Sequence, residues 1–158
     1  MSTIESSSDP SGRHWLSFRI GEQLYAAPLV AVNEVIRDGD ITPVPGSAAE
    51  VLGVRHLRGR IVPVLDGCRR MGVPHSSTDR DQVRIVLLTH AGHLVGIRVD
   101  AMGELLCTDG REIEPPPPGR ACRTDDPVTG VLSLSGGFVA LLDVRRLCRL
   151  SGEPADVV

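Results

Sequence analysis

Three aspartates, Asp66, Asp100 and Asp143, each close an apolar run, where a positioned carboxylate can act as a general acid or base. Two of them hold matching places in an internal repeat, ahead of helix-like segments. A side-chain oxygen there accepts from free helix N–H groups, so capping or turn formation is the reading for all three. His90 and His93 form an H-x-x-H pair, but Ala91-Gly92 between them reads as a hairpin tip. No helix holds both rings on one face and no third ligand is evident, so no metal site is expected. Leu134-Ser135-Gly136 comes nearest to a nucleophile elbow and lacks its first glycine. Gly136-Gly137 precedes a strand, not a helix, and makes no phosphate loop. Cys68, Cys107, Cys122 and Cys148 form no C-x-x-C pair, and they are read as reduced, small apolar residues. No catalytic residue, metal or cofactor is expected, which favours a binding module. One charged feature stands out, the cluster Arg55, His56, Arg58 and Arg60.

The segments that position this cluster are duplicated. Gly53 to Asp66 matches Gly130 to Asp143 at a shift of 77 (53 to 130), with Gly, Val, Leu, Gly, Val, Leu and Asp identical in register and Arg69 and Arg146 following. Leu24 to Ile36 matches Leu94 to Leu106 at a shift of 70 (24 to 94). The excess in the second half falls in the loop-like stretch with Pro115 to Pro118 and Asp125-Asp126-Pro127. Two copies are too few for a solenoid, and two subdomains about a pseudo-twofold axis are expected. The copies part most at Arg55, His56, Arg58 and Arg60, which face Leu132, Ser133, Ser135 and Gly137.

The 158 residues suit one domain, or two small halves sharing a core. Only 3% are aromatic, so Val, Leu and Ile must build the interior. A net charge of −3 gives no general attraction to nucleic acid or anionic membrane, and no apolar run is long enough to span a bilayer. Residues 1–14 read as a disordered tail and 151–158 as a second tail. The cysteines and the lack of a signal peptide point to the cytoplasm. Trp15 to Ile20 and Gln23 to Ala27 read as a hairpin about Gly21-Glu22. A short helical turn and a strand follow over Leu29 to Arg37, and a short helix is expected over Ala48 to Leu52. Gly53 to Leu57 and Arg60 to Leu65 are strands, the second apolar throughout and expected to be buried on both faces. Pro63 marks an edge or a bulge in it. Gly72 to Asp81 is expected to link the two halves, and strands follow over Val83 to Thr89, Leu94 to Val99 and from Glu104. The fold class is all-β with short helices.

Gly53-Val54-Arg55-His56-Leu57-Arg58-Gly59-Arg60-Ile61-Val62-Pro63-Val64-Leu65-Asp66 resembles the signature of the CheW family of chemotaxis coupling proteins. Phe18 to Tyr25, Val95 to Asp100 and Gly136 to Leu147 extend the resemblance over residues 15–150. It implies two SH3-like five-stranded β-barrels, approximately 15–80 and 81–150, intertwined in one domain. It implies an adaptor without enzymatic activity, bridging the cytoplasmic tips of chemoreceptors to the CheW-like regulatory domain of a histidine autokinase. Such a protein is cytoplasmic, held near the membrane through receptor arrays without inserting into it. By motif position, Val32, Val35, Gly53, His56, Arg58, Met102 and Leu105 are the implied partner-binding residues. His56 replaces the family's usual Asn, and Gly67-Cys68 replaces Leu-Arg, which leaves flagellar chemotaxis and a type IV pilus or other chemosensory-like system both open. An SH3-like nucleic-acid binder using Arg55, Arg58 and Arg60 is the alternative from another class. The net charge and the absence of interleaved aromatics argue against it.

Overall fold

Apolar residues on either side of Gly21-Glu22 form the hairpin expected there. β1 (His14–Ile20) pairs antiparallel with β2 (Gln23–Pro28), and Gly21 takes a positive φ of 62° at the turn. The computed structural model describes residues 12–76, 79–116 and 126–149. Most of both expected tails, and the Pro117-Pro118 and Asp125 part of the long loop, lie outside the described residues. A single 3₁₀ turn, Leu29–Ala31, leads from Pro28 into β3 (Val32–Arg37). Further along are β4 (Val51–Leu57), β5 (Arg60–Asp66), helix α1 (Gly67–Met71), β6 (Arg84–His90), β7 (His93–Val99) and β8 (Ala101–Cys107). Then come β9 (Ile113–Glu114), β10 (Val128–Leu134), β11 (Gly137–Leu142) and helix α2 (Val144–Leu147).

The strands form two sheets, ordered β8-β1-β2-β11-β10-β9 and β3-β6-β7-β5-β4. Each curls into an SH3-like barrel, and the duplication is visible residue by residue. Gly53 faces Val64 across β4–β5 as Gly130 faces Leu141 across β10–β11, and each hairpin slips register after its first residue, Val51 or Val128. The parallel contacts agree as well: Val64 pairs with Gly96, and Leu141 with Ala26. The 77-residue shift relates β4–β5–α1 to β10–β11–α2, and the 70-residue shift relates β1–β2–β3 to β6–β7–β8.

The third strand of each triple crosses over. β3 leaves the β1–β2 hairpin and pairs with β6, Val32 opposite Leu88, while β8 leaves β6–β7 and pairs with β1, Met102 opposite Phe18. The sheets therefore do not divide at residue 80: β1 and β2 belong with β8 to β11. Nor does Gly72 to Asp81 join two halves, since it connects strands of one sheet.

Shared apolar surface holds the barrels together. Phe18, Ile20, Tyr25, Ala140 and Leu142 of one sheet and Val86, Leu88, Ile97 and Val99 of the other lie in one buried cluster. Full burial of the Phe, Ile, Leu and Val side chains among them is worth about 1.5–3 kcal/mol each. Smaller clusters fill the barrels themselves, around Leu132, Val139 and Leu141 in one and Val62, Val64, Ile85 and Leu87 in the other. The buried Arg70 adds a polar latch. Its Nε donates to Leu147 O at 2.8 Å and its Nη2 to Arg146 O at 2.6 Å, which ties α1 to the carbonyl end of α2.

Three local expectations are revised. Ala48 to Leu52 is a turn entering β4, where Val51 N donates to Ala48 O, because only four residues separate Gly46 from that strand. β5 is not buried on both faces: Ile61 is 65% exposed and Pro63 half-buried, since pairing with β7 starts only at Val64. Pro63 is nevertheless in an interior strand. Val54, its partner, turns both backbone groups toward Thr42, so the missing N–H of Pro63 lies on the β7 side, ahead of the paired stretch.

Candidate partner-binding surface

The repeated glycines are explained by chain crossings. At Gly53 the φ is 153°, and a Cβ would stand 2.2 Å from Thr42 O. At Gly130 it would stand 2.8 Å from Ile113 Cγ2. Both glycines admit the segment that bridges β4 or β10 on its outer side, through Thr42–Val54 in one barrel and Glu114–Val131 in the other. Gly53 is buried and holds the fold at this point.

Asp66 and Asp143 act as caps, as expected, whereas Asp100 caps nothing and instead braces the distant β1–β2 turn. Asp66 Oδ1 accepts from Cys68 N at 3.1 Å, and Asp143 Oδ1 from Arg145 N at 2.9 Å. Asp100 Oδ2 accepts from Gly21 N at 2.7 Å. His90 and His93 face each other beside the Ala91-Gly92 tip.

The basic cluster lies along the open seam of the first barrel. β3 and β4 are the outer strands of its sheet, and arginines from the β4–β5 hairpin span the gap. Arg55 Nη1 donates to Arg37 O at 2.6 Å, and Arg58 forms an ion pair with Glu34 of β3. The Arg58 side chain remains 63% exposed. Its backbone is left-handed, with φ 48° followed by 79° at Gly59, the pattern of a type I′ hairpin turn. Ser135 is not left-handed, although Gly136 is, at 86°. The equivalent turns thus differ in geometry, and Ser135 does not stand in for Arg58. At the place of Arg55 the second barrel has the buried Leu132, so that barrel fills its seam with an apolar residue instead of a cation.

The implied partner-binding residues fall in three settings. Val32 and Gly53 are buried, so neither offers a side chain to a partner in this conformation. His56 and Arg58 are exposed on one hairpin, with Val35 half-buried on β3 nearby in the same sheet. Met102 and Leu105, the 70-residue counterparts of Val32 and Val35, lie on β8 at the edge of the other sheet, half-buried and exposed respectively. The seven residues therefore map to both barrels, not to one patch.

Two exposed apolar residues escaped the sequence reading. Ile61 and Phe138, 77 apart, hold the same place on β5 and β11, facing His56 and Ser133 across their hairpins, and Phe138 is 45% exposed. The signal was present in the aligned repeat: a large apolar residue at one position in both copies, next to a turn. A mixed donor group was missed as well. Asp66, Cys68 and His75 bring one ligand atom each within 4.8 Å of one another. Burial first, then the charges of Asp100 and Asp66, raise the Cys68 thiol above its ordinary 9.0.

No helix among the described residues is long and apolar enough to cross a membrane. A family model described as the CheW-like domain matches residues 14–151. A chemotaxis protein CheW of Rhizobium meliloti is 32% identical over 133 residues, covering 84% of this chain and 85% of that one. Protein PilI of Pseudomonas aeruginosa is 34% identical over 85 residues, 54% of this chain and 47% of that protein. The crystal structure of the scaffolding protein TtCheW from Thermoanaerobacter tengcongensis superposes with a TM-score of 0.78 at 30% identity, covering 90% of this chain and 96% of that one. With this sequence match along nearly its whole length, and the paired barrels to accompany it, the chain belongs to the CheW-like domain family.

Proposed function

We propose that this protein is a non-enzymatic adaptor of a bacterial chemosensory pathway. It couples the cytoplasmic tips of chemoreceptors to the CheW-like regulatory domain of a histidine autokinase, and works in the cytoplasm next to receptor arrays. The observation that carries the reading is the pair Ile61 and Phe138. Each is a large apolar side chain held out of its barrel at the same place, so one molecule offers two related docking points to partners built from similar barrels. On the first barrel His56 and Arg58 flank this point, while Val35 lies across the seam on β3 and packs against the shared core. On the second barrel, Leu105 and Met102 supply an apolar edge. Val32 and Gly53 serve by holding these strands in place.

A chemosensory system driving type IV pili is the second reading, favoured by the similarity to PilI. Nucleic-acid binding is disfavoured, because a net charge of −3 gives no general attraction to a polyanion. The test is titration of the purified protein with the kinase regulatory domain and with a receptor-tip fragment from its own organism. Adaptor contacts that must be rebuilt are often micromolar, about −8 kcal/mol. Saturable binding to both is expected, and no binding to either well above that concentration overturns the reading. A pilus-system kinase captured in place of a flagellar one selects the second reading.

A further inference from the structure

The two copies of the strand–aspartate–helix unit differ in what surrounds the aspartate. Asp143 caps α2 and meets Arg146, whose Nε is 3.8 Å from Oδ2. Asp66 caps α1 and meets Arg69 in the same way, at 3.5 Å. In the second copy the next residue but one is the exposed Arg145. In the first it is the buried Cys68. The loop after α1 then brings His75 Nε2 to 3.2 Å from Asp66 Oδ2. The second copy shows that capping requires neither the thiol nor the imidazole.

We propose that Asp66, Cys68 and His75 form a zinc site, independent of the adaptor surface. The donor set, one sulfur, one nitrogen and one oxygen, suits Zn²⁺ better than Ca²⁺ or Mg²⁺, which take oxygen ligands. Charge also balances: a thiolate and a carboxylate neutralise the dication, and the imidazole binds neutral. Asp66 divides its oxygens, with Oδ1 on the Cys68 N–H and Oδ2 toward the ion. Donors about 2.0–2.3 Å from one zinc stand roughly 3.3–3.8 Å apart, and these three are within 4.8 Å. The remaining contraction falls to His75, an exposed loop residue. The exposed Arg69 moves off Oδ2 into solvent. A water takes the fourth position, since Asp100, whose Oδ2 is 3.9 Å from Cys68 Sγ, already accepts from Gly21 N. Once loaded, the ion fastens the loop after α1 to the end of β5.

The test uses the full chain, metal-stripped and reduced, titrated with ZnCl₂ and separately with CoCl₂. One equivalent of zinc should bind and raise the melting temperature, and cobalt should give a thiolate charge-transfer band. His75→Ala should weaken zinc binding by roughly tenfold or more, since even outer-shell changes cost about that much. Cys68→Ser should also remove the cobalt band, while Cys107→Ser should change nothing. If Cys68→Ser fails to fold by circular dichroism, His75→Ala decides alone. No binding up to about 100 μM free zinc, or binding that His75→Ala leaves intact, overturns the proposal.

Discussion

Replacing Arg58 by glycine and by alanine separates its side chain from its backbone. Both variants lose the Glu34 ion pair. Because the Arg58 side chain is 63% exposed, that loss costs only about 0.2–1 kcal/mol. They differ in the turn: at φ 48° an L-residue carries a strain of about 1–2 kcal/mol, which glycine lacks. After glycine's greater entropy in the unfolded chain is set against this, Arg58→Gly should be more stable than Arg58→Ala by about 1 kcal/mol, read as a difference in denaturation midpoint. If Arg58 docks a partner, both variants should lose the same affinity. A contact of hot-spot size is about 2 kcal/mol, roughly 30-fold in Kd. Glu34→Gln carries the opposite sign. It frees the guanidinium, and a partner's carboxylate no longer has to displace an internal one, so binding should tighten by up to about 1 kcal/mol. Calorimetric titration with the kinase regulatory domain reads all three. Normal affinity in both Arg58 variants would refute a contact at this residue. Affinity that tracks the stability difference between Ala and Gly would mean that the turn, not the guanidinium, is what the partner senses.

Gly53→Ala should destabilise by about 3 kcal/mol or more, because its Cβ meets backbone at Thr42. Gly130→Ala meets a movable Ile113 side chain and should cost less in the same urea melt. Arg70→Met should cost about 1–3 kcal/mol by removing the donor to the Leu147 carbonyl, while Arg146 O keeps the Arg149 N–H, seen as a lower melting temperature. In metal-free protein the raised Cys68 thiol keeps its proton while the unfolded thiol releases it near pH 9. Its contribution is therefore intact below about pH 9 and fades as pH rises through the folded value. Denaturation midpoints of wild type should fall in that range, and Cys68→Ala should lose this part of the slope.

Whether a residue was legible depended on whether its cause was local. Asp66 and Asp143 read as caps because a strand end followed by a helix needs an acceptor within two or three residues. The hairpins about Gly21, Arg58-Gly59 and Ala91-Gly92 read correctly for the same reason. Strand exchange was not legible: period-2 alternation tells which face of β3 and β8 is apolar, not which hairpin each joins. Ile61 was misread because a short apolar run does not show where pairing on its second side begins. The Asp66–Cys68–His75 group fits no short spacing motif, since its third donor arrives through a loop. The difference between the Arg58 and Ser135 turns lies in backbone angles that both sequences, each with glycine second, permit.

A ribosome delivers strands in order, and the crossing of β3 and β8 sets when each barrel can close. The sheet containing β3 to β7 has all its strands once Val99 has emerged. β2 must wait much longer, since Leu24 pairs with Val139. Contacts so distant in sequence slow folding. Meanwhile Phe18, Ile20 and Tyr25 of the first hairpin can rest against Val86, Leu88, Ile97 and Val99, their neighbours in the shared cluster. The finished barrel thus serves as a template for the unfinished one, with the edge of β2 open until β11 slots in beside it. During that interval the nascent chain presents an unpaired strand edge, the element on which chaperones or a second nascent copy would act.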